Sequence, residues 1–155
     1  MAVEAQSDWR PWHALTISGA IFANKSRLTS PAAGFEGERD ATLPNIASLG
    51  AQTAVRYEMP VGDNSQLSFS ASVRYQGKSR LGVGPVLSLP QGDHADTRLG
   101  ARWTCKQVSV SLDVSNLLDA GRNIFALGNP FGVRTGNQIT PMRPRTIRLG
   151  VAYNL

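Results

Sequence analysis

The chain has 155 residues, of which 17% are charged, and 16 Lys and Arg residues against 11 Asp and Glu residues give a net charge of +5. No segment approaches the roughly 18 consecutive apolar residues of a membrane helix, which excludes a helical membrane protein. The basic residues are scattered singly rather than gathered in a cluster or on a basic helix, so nucleic acid is not an expected partner.

Apolar side chains alternate with polar or small ones along most of the chain, and this period of two predicts β-strands. We expect seven antiparallel strands near residues 1–9, 13–27, 46–58, 65–78, 94–104, 106–118 and 145–155. The fourth is the clearest, because Leu67, Phe69 and Ala71 alternate with serines. Residues 10–13 contain Pro11, which cannot donate to a strand ladder, and are predicted to form a turn.

The connections between these strands alternate in length. Short turns at residues 10–13, 60–64 and 104–107 alternate with long loops at 28–45, 77–92 and 119–143. Outer-membrane barrels have short periplasmic turns, long outer loops and girdles of aromatic residues at both membrane interfaces. Aromatic residues collect here at the short-turn ends of the strands: Trp9, Trp12, Tyr57, Trp103 and Tyr153. The alternative is a soluble lipocalin-like binding barrel or sandwich, whose core would be filled poorly by the many Ala and Thr residues of the apolar faces.

The last strand alternates strictly, and about ten residues is the length a tilted strand needs to cross a bilayer. Its residues resemble the C-terminal assembly signal of bacterial outer-membrane barrels, with Leu155 in place of the usual Phe: Arg148, Gly150, Tyr153 and Leu155. The resemblance implies that the outer-membrane assembly machinery binds this strand and that the outward residues contact membrane lipid.

The predicted number of strands is odd, whereas bacterial single-chain barrels have even numbers. An open sheet cannot persist in lipid, because each unpaired edge group costs several kcal/mol. The N-terminal residues also lack the basic and apolar regions of a secretion signal. We therefore expect residues 1–155 to be the C-terminal part of a larger all-β, antiparallel transmembrane β-barrel, completed by strands outside this sequence.

Motifs near the end of the chain resemble those of TonB-dependent outer-membrane receptors. The first is an Asn-Leu-apolar-Asp signature and the second a Pro-Arg-Thr segment before the final strand: Asn116, Leu117, Leu118, Asp119, Pro144, Arg145 and Thr146. Residues 3–5 and 9–11 are similar to the strand and turn that precede the family's last six strands. The resemblance implies a barrel of about 22 strands in a Gram-negative outer membrane, plugged by an N-terminal domain that this chain lacks.

By the same resemblance, the whole receptor imports a scarce nutrient, with an iron–siderophore complex as the expected ligand. The inner-membrane TonB complex supplies energy through the absent plug. Loops on a rigid scaffold often carry binding residues. The longest loop here combines cationic, amide and aromatic groups that would suit an anionic, ring-containing ligand: Arg122, Phe125, Phe131, Arg134, Asn137 and Gln138. Packing of loop against loop is the alternative role for these residues.

The sequence gives little support for enzyme chemistry. His13 and His94 are far apart and have no Cys or carboxylate at ligand spacing, so neither a metal site nor a cofactor is expected. The Gly-x-Ser-x-Gly elbow is absent, and Cys105 has no partner for a disulfide. A small outer-membrane barrel enzyme with a Ser–His pair remains as an alternative, although solvation of a barrel lumen already explains the serine-rich faces. The expected function is transport, without catalytic residues.

Overall fold

The computed structural model describes residues 1–82, 84, 88–127 and 138–154. Its main element is an antiparallel sheet whose strands are β1 (Ala2–Trp12), β2 (Leu15–Asn24), β3 (Leu49–Pro60), β4 (Ser65–Gln76), β7 (His94–Cys105), β8 (Val108–Ser115) and β11 (Thr146–Tyr153). These seven strands lie side by side in the order β1-β2-β3-β4-β7-β8-β11. All seven predicted strands are present with their predicted antiparallel neighbours, which confirms the all-β assignment.

The long connections contain regular structure that the sequence did not predict. The first loop (residues 25–48) has one turn of 3-10 helix at Glu36–Glu38. The second loop (residues 77–93) contains the pair β5 (Ser79–Arg80) and β6 (Pro90–Gln91), and the third loop (residues 116–145) contains β9 (Asn123–Leu127) and β10 (Gln138–Pro141). No helix in the described part of the chain is long and apolar enough to span a membrane.

The first short turn was predicted wrongly. Residues 10–12 belong to β1, and only residues 13–14 separate it from β2. The register shifts between Trp9, which pairs with Ile17, and Trp12, which pairs with Leu15. This irregularity adds one residue to β1, so both tryptophans lie on the same face although they are three positions apart. Pro11 is tolerated because β1 is the outermost strand on its side of the sheet and is irregular at this point.

One face of the sheet is apolar and uncovered. Side chains on interior strands are well exposed there, with Val73 at 48%, Leu99 at 43% and Leu112 at 46%. On β11, Leu149 and Tyr153 are 71% and 62% exposed, so neither lies in a sealed interior. Ala47 is the only buried hydrophobic residue among those described. A soluble sandwich or lipocalin-like barrel would turn this face into a sealed core, so the soluble alternative does not fit the sheet.

Candidate functional site

The opposite face of the sheet lines a trough of about 1360 Å³. Because every one of the seven strands contributes to this single space, the sheet must curve around it. The trough is lined mainly by the polar positions of the alternating pattern, represented on successive strands by Arg10, Thr16, Arg56, Arg74, Arg98, Asp113 and Arg148. The curvature and the distribution of polarity are those of a barrel wall with a hydrated interior and an apolar exterior.

Opposite charges are interleaved along the trough. Arg98 forms an ion pair with Asp96 at 2.8 Å, and Arg56 approaches Glu58 to 3.8 Å. The register also places Arg148 directly opposite Asp113 on β8. The arginine side chains of the two ion pairs are 66% and 70% exposed, so these pairs add little stability. These charged side chains make the surface of the trough one that water and polar groups can contact and lipid cannot.

A glycine on this wall leaves space for its polar neighbours. Gly100 lies opposite Ser70 on β4 and Asp113 on β8. A Cβ atom at Gly100 would come within 2.6 Å of the Ser70 hydroxyl oxygen and 3.1 Å of Asp113 Oδ1. The sequence places Gly100 on the inward face but cannot show which residues need the space, because that depends on strand register.

The first and second loops are joined by Arg80. Its guanidinium lies 3.2 Å from a carboxylate oxygen of Glu38, and its Nε donates to the carbonyl of Thr42 at 3.0 Å. The backbone carbonyl of Arg80 accepts from the amide of Asn45 at 2.7 Å. Both charged side chains of the ion pair are about four-fifths buried, at 19% and 21% exposure. Sequence analysis missed Arg80, since an isolated loop arginine carries no periodic signal.

The second loop is joined in turn to the third. The amide of Gly92 donates to the carbonyl of Asn123 at 3.0 Å, and the Asn123 side chain donates to the carbonyl of Pro90 at 3.3 Å. The three long loops therefore form one connected layer at the same end of the sheet. Packing of loop against loop accounts for these contacts without a ligand.

The predicted ligand residues of the third loop are placed only in part. Arg122 is exposed, and its carbonyl accepts from the amide of Met142 at 2.9 Å. Phe125 and Gln138 belong to β9 and β10, which pair with each other, although their side chains are not described. Three further predicted residues lie outside the described residues: Phe131, Arg134 and Asn137. Ligand binding by this loop stays a prediction.

The two signature motifs meet where β8 ends and β11 begins. Asn116 is 3% exposed, and its amide nitrogen donates to the carbonyls of Arg143 at 2.8 Å and Ala120 at 3.1 Å. Its side-chain oxygen accepts from the amide of Ala120 at 2.9 Å. Asp119 accepts from the backbone amide of Arg145 at 3.0 Å, and the two side chains lie 3.7 Å apart. We call this set of contacts the clasp, since it ties together the two ends of the third loop.

Other signature residues extend the clasp. The amide of Leu117 donates to the Thr97 carbonyl and the amide of Leu118 to the Thr97 hydroxyl, each at 3.2 Å. The Thr146 hydroxyl donates to the carbonyl of Pro144 at 3.0 Å, just before β11. The Leu118 side chain is 68% exposed, and only the backbone amide of this residue takes part in these contacts. The signature residues are thus placed at a strand–loop junction rather than within the trough.

The predicted aromatic residues, which include Tyr153 of the assembly signal, lie toward the other end of the sheet, near the short turns. Arg148 faces the trough, Gly150 pairs with Ser111, and Tyr153 pairs with Val108 beside the short β7–β8 turn. Leu155 lies outside the described residues. Of the aromatic set, Tyr57 is half-buried, and four are between 41% and 62% exposed: Trp9, Trp12, Trp103 and Tyr153.

No protein-family model matches the sequence, and the comparison with curated proteins also gives no match. Two solved structures are similar. The ferric yersiniabactin uptake receptor FyuA from Yersinia pestis matches 98% of this chain with a TM-score of 0.78 and 18% identity. BauA, the ferric preacinetobactin receptor from Acinetobacter baumannii, matches 98% with a TM-score of 0.71 and 17% identity. The chain has the fold of the matched part of these two receptors.

This receptor-like sheet corresponds to only part of those proteins. The chain covers 23% of FyuA and 21% of BauA, so it spans less than a quarter of either length. Both of those proteins are receptors for a ferric ligand. Among the described residues of the present chain, no group of three or more His, Cys, Asp or Glu side chains could hold a metal ion.

Proposed function

We propose that this chain forms a barrel segment of a TonB-dependent receptor in a Gram-negative outer membrane, and that the receptor takes up a ferric siderophore. The observation that carries the proposal is the two-faced curved sheet, which matches ferric-siderophore receptors over 98% of its length. The apolar face suits lipid contact, the trough suits a hydrated lumen, and the connected loops lie where an external ligand would arrive.

The partners follow from the same arrangement. In the described sheet, β1 and β11 are the two end strands and each has one neighbour. Unpaired strand edges are costly in lipid, so further strands of the same receptor would pair with these edges. A plug domain in the completed lumen would be the link to the inner-membrane TonB complex. Residues 1–155 would then be the C-terminal portion of the barrel.

Uptake of radioactive iron tests the proposed function. A strain lacking the gene that encodes this segment is supplied with 55Fe in one siderophore complex at a time, with labelled cobalamin as a comparison. We expect uptake of at least one ferric siderophore to fall to background and to return when the gene is restored. Unchanged uptake of every iron complex would refute a siderophore receptor, and a selective loss of cobalamin uptake would replace the proposed ligand.

Recognition by the outer-membrane assembly machinery is tested at Tyr153. Its side chain is 62% exposed, so Tyr153→Ala removes little packing within the sheet. We nevertheless expect several-fold less folded receptor in the outer membrane, because the residue belongs to the proposed assembly signal. Ile147→Ala is the control, since Ile147 lies on the same strand and is 68% exposed. Heat-modifiable mobility on gels measures the folded amount, and equal amounts in the two variants would contradict the signal.

A further inference from the structure

A three-residue segment of the second loop contacts both the first and the third loops, and we call it the bridge: Pro90, Gln91 and Gly92. Gln91 is 6% exposed, and its Nε2 donates to the side-chain oxygen of Asn45 at 2.7 Å. The backbone amide of Asn45 in turn donates to the Arg80 carbonyl at 2.7 Å. The first loop is therefore held to the bridge through a buried side chain.

A second contact between the first and second loops is ionic. Arg80, on β5, is paired with Pro90 of the bridge. Its guanidinium lies 3.2 Å from the Glu38 carboxylate and also donates to the Ser88 hydroxyl at 3.3 Å. Arg80 and Glu38 are 19% and 21% exposed, so water screens this pair less than it screens a surface pair. Separation of the two loops would leave both charges poorly compensated.

The bridge contacts the third loop through backbone atoms. The Gly92 amide donates to the Asn123 carbonyl at 3.0 Å, and the Asn123 side chain donates to the Pro90 carbonyl at 3.3 Å. Asn123 Oδ1 also accepts from the amide of Thr140 at 3.1 Å, which joins β9 to β10. A single asparagine thus ties the bridge to both strands of the third loop.

Gly92 holds the bridge against the start of its own loop. Its φ is +79°, and a Cβ atom built on it would overlap the carbonyl oxygen of Gly77. Gly77 is the first residue of the second loop, and its amide donates to the carbonyl of Leu49 on β3 at 2.8 Å. A side chain at Gly92 would push the bridge out of this position, so the close approach requires glycine.

The paired segments of the loops are separate from the barrel wall. In the described part of the chain, β5–β6 and β9–β10 form two sheets of their own, and neither joins the seven-stranded sheet. Opening of one loop alone would break its contacts with the bridge, whereas opening of the three loops together would keep them. Segments that share their contacts in this way open as a cooperative unit.

Among the described residues, no hydrogen bond or ion pair joins the first loop directly to the third, so the bridge is the link between them. We propose that the bridge couples the three long loops, so that they open as one unit and a disturbance in the first loop reaches the third. The end of the trough beside the loops is then opened by one movement instead of three. This coupling does not depend on the identity of the ligand and therefore goes beyond the proposed function.

Hydrogen exchange of the intact receptor that contains this segment, folded in phosphatidylcholine vesicles, tests the coupling. Glu38→Ala removes the carboxylate that faces Arg80, and the described contacts of Glu38 lie within the first two loops. We expect the amide of Thr140, in the third loop, to exchange about three- to tenfold faster in this variant. A purely local role of the ion pair would leave Thr140 unchanged.

Glu36→Ala is the matched control. It makes the same substitution and loses the same charge two positions earlier, in the same turn of 3-10 helix. Glu36 is exposed, and its carboxylate accepts from the backbone amide of Gly34 at 3.0 Å, inside the first loop. We expect unchanged exchange at Thr140 in Glu36→Ala, because the described contacts that this variant loses do not reach the second loop.

Coupling must also act in the opposite direction, because a coupling free energy is reciprocal. Asn123→Asp removes the donor to the Pro90 carbonyl but keeps an oxygen that can accept from the Thr140 amide. We expect the amide of Asn45, in the first loop, to exchange about three- to tenfold faster in this variant. If Asn123→Asp does not fold, Gln91→Glu removes the donor to Asn45 on the other side of the bridge, and faster exchange at Thr140 is expected instead.

The double variant Glu38→Ala/Asn123→Asp shows whether the coupling passes through the bridge. Effects at independent sites add, whereas effects at sites within one network do not. The loss of Glu38 should accelerate exchange at Thr140 less when Asn123→Asp has already loosened the third loop from the bridge. A full, additive acceleration would mean that the bridge is not the link.

Two other results would overturn the coupling. The first is unchanged exchange at Thr140 in Glu38→Ala or at Asn45 in Asn123→Asp, which would mean that the loops open separately. The second is an equal acceleration at Thr140 in Glu36→Ala, which would mean that any loss of charge in the first loop has this effect. Neither result changes the proposed function, which is decided by the uptake of radioactive iron in the deletion strain.

Discussion

Leu112→Lys is expected to destabilise the membrane-embedded receptor by about 2–4 kcal/mol, whereas Ser111→Lys should change its stability little. Leu112 is 46% exposed on the apolar face and pairs with Ala101 and Leu149, which point the same way. A lysine there would place a charge in hydrocarbon near the middle of β8. Ser111 pairs with Arg102 and Gly150 on the inward face, where a lysine can remain hydrated.

Guanidinium unfolding of the two variants in phosphatidylcholine vesicles measures this difference. The variants differ from the parent by one residue at adjacent positions of the same strand, so changes in β-propensity largely cancel. A difference near zero would contradict the lipid-facing assignment, because an exposed lysine in water would cost little at either position. A larger loss at Ser111 would mean that the two faces are reversed.

The strands and their faces could be predicted because a period of two is a local property of the sequence. Each of the seven strands carries its own alternation, and the apolar set of β4, with Leu67, Phe69 and Ala71, reads the same in isolation as in the sheet. The alternation of short and long connections also predicted which strands are neighbours. Two strands joined by a short turn can pair only side by side and antiparallel.

The remaining features depend on contacts between distant residues. The irregularity in β1 needs the pairing of Trp12 with Leu15, and Pro11 alone suggested a turn. The pair β9–β10 joins segments with several residues between them, and neither strand is long enough to show alternation. The ion pair of Arg80 with Glu38 links two loops, and it cannot be predicted from the sequence of either loop alone.

The placement of Phe22 depends on distant contacts in the same way. Phe22 could be recognised in the sequence as an aromatic residue at an inward position, but its relation to Gly50 appears only when the register of β2 and β3 is known. A shift by one residue would place Phe22 on the lipid face, where an aromatic residue is ordinary. Register therefore decides whether Phe22 lies on the apolar face or on the concave face of the sheet.

Asn116→Ala is expected to destabilise the junction of β8 and β11 by about 2–4 kcal/mol. The substitution removes three part-buried hydrogen bonds and leaves backbone groups of Ala120 and Arg143 without side-chain partners. It also places alanine at a φ of +50°, a conformation that costs an ordinary L-residue about 1–2 kcal/mol. Both effects act at the point where the third loop is closed, so the first consequence should be local opening of the clasp.

Hydrogen exchange of the intact receptor measures that opening. We expect the amides of Leu117, Ala120 and Arg145 to exchange at least tenfold faster in Asn116→Ala, because a loss of 1.4 kcal/mol already corresponds to a factor of ten. Asn24→Ala is the matched control: Asn24 also ends a strand before a long loop, but among the described residues its side chain makes a single hydrogen bond, to the Ala47 carbonyl at 3.3 Å. Asn116→Gly separates the two effects, since glycine accepts the positive φ without restoring the bonds. If the alanine and glycine variants open equally, the hydrogen bonds alone hold the clasp; if neither opens more than Asn24→Ala, the Asn116 contacts do not hold the junction closed.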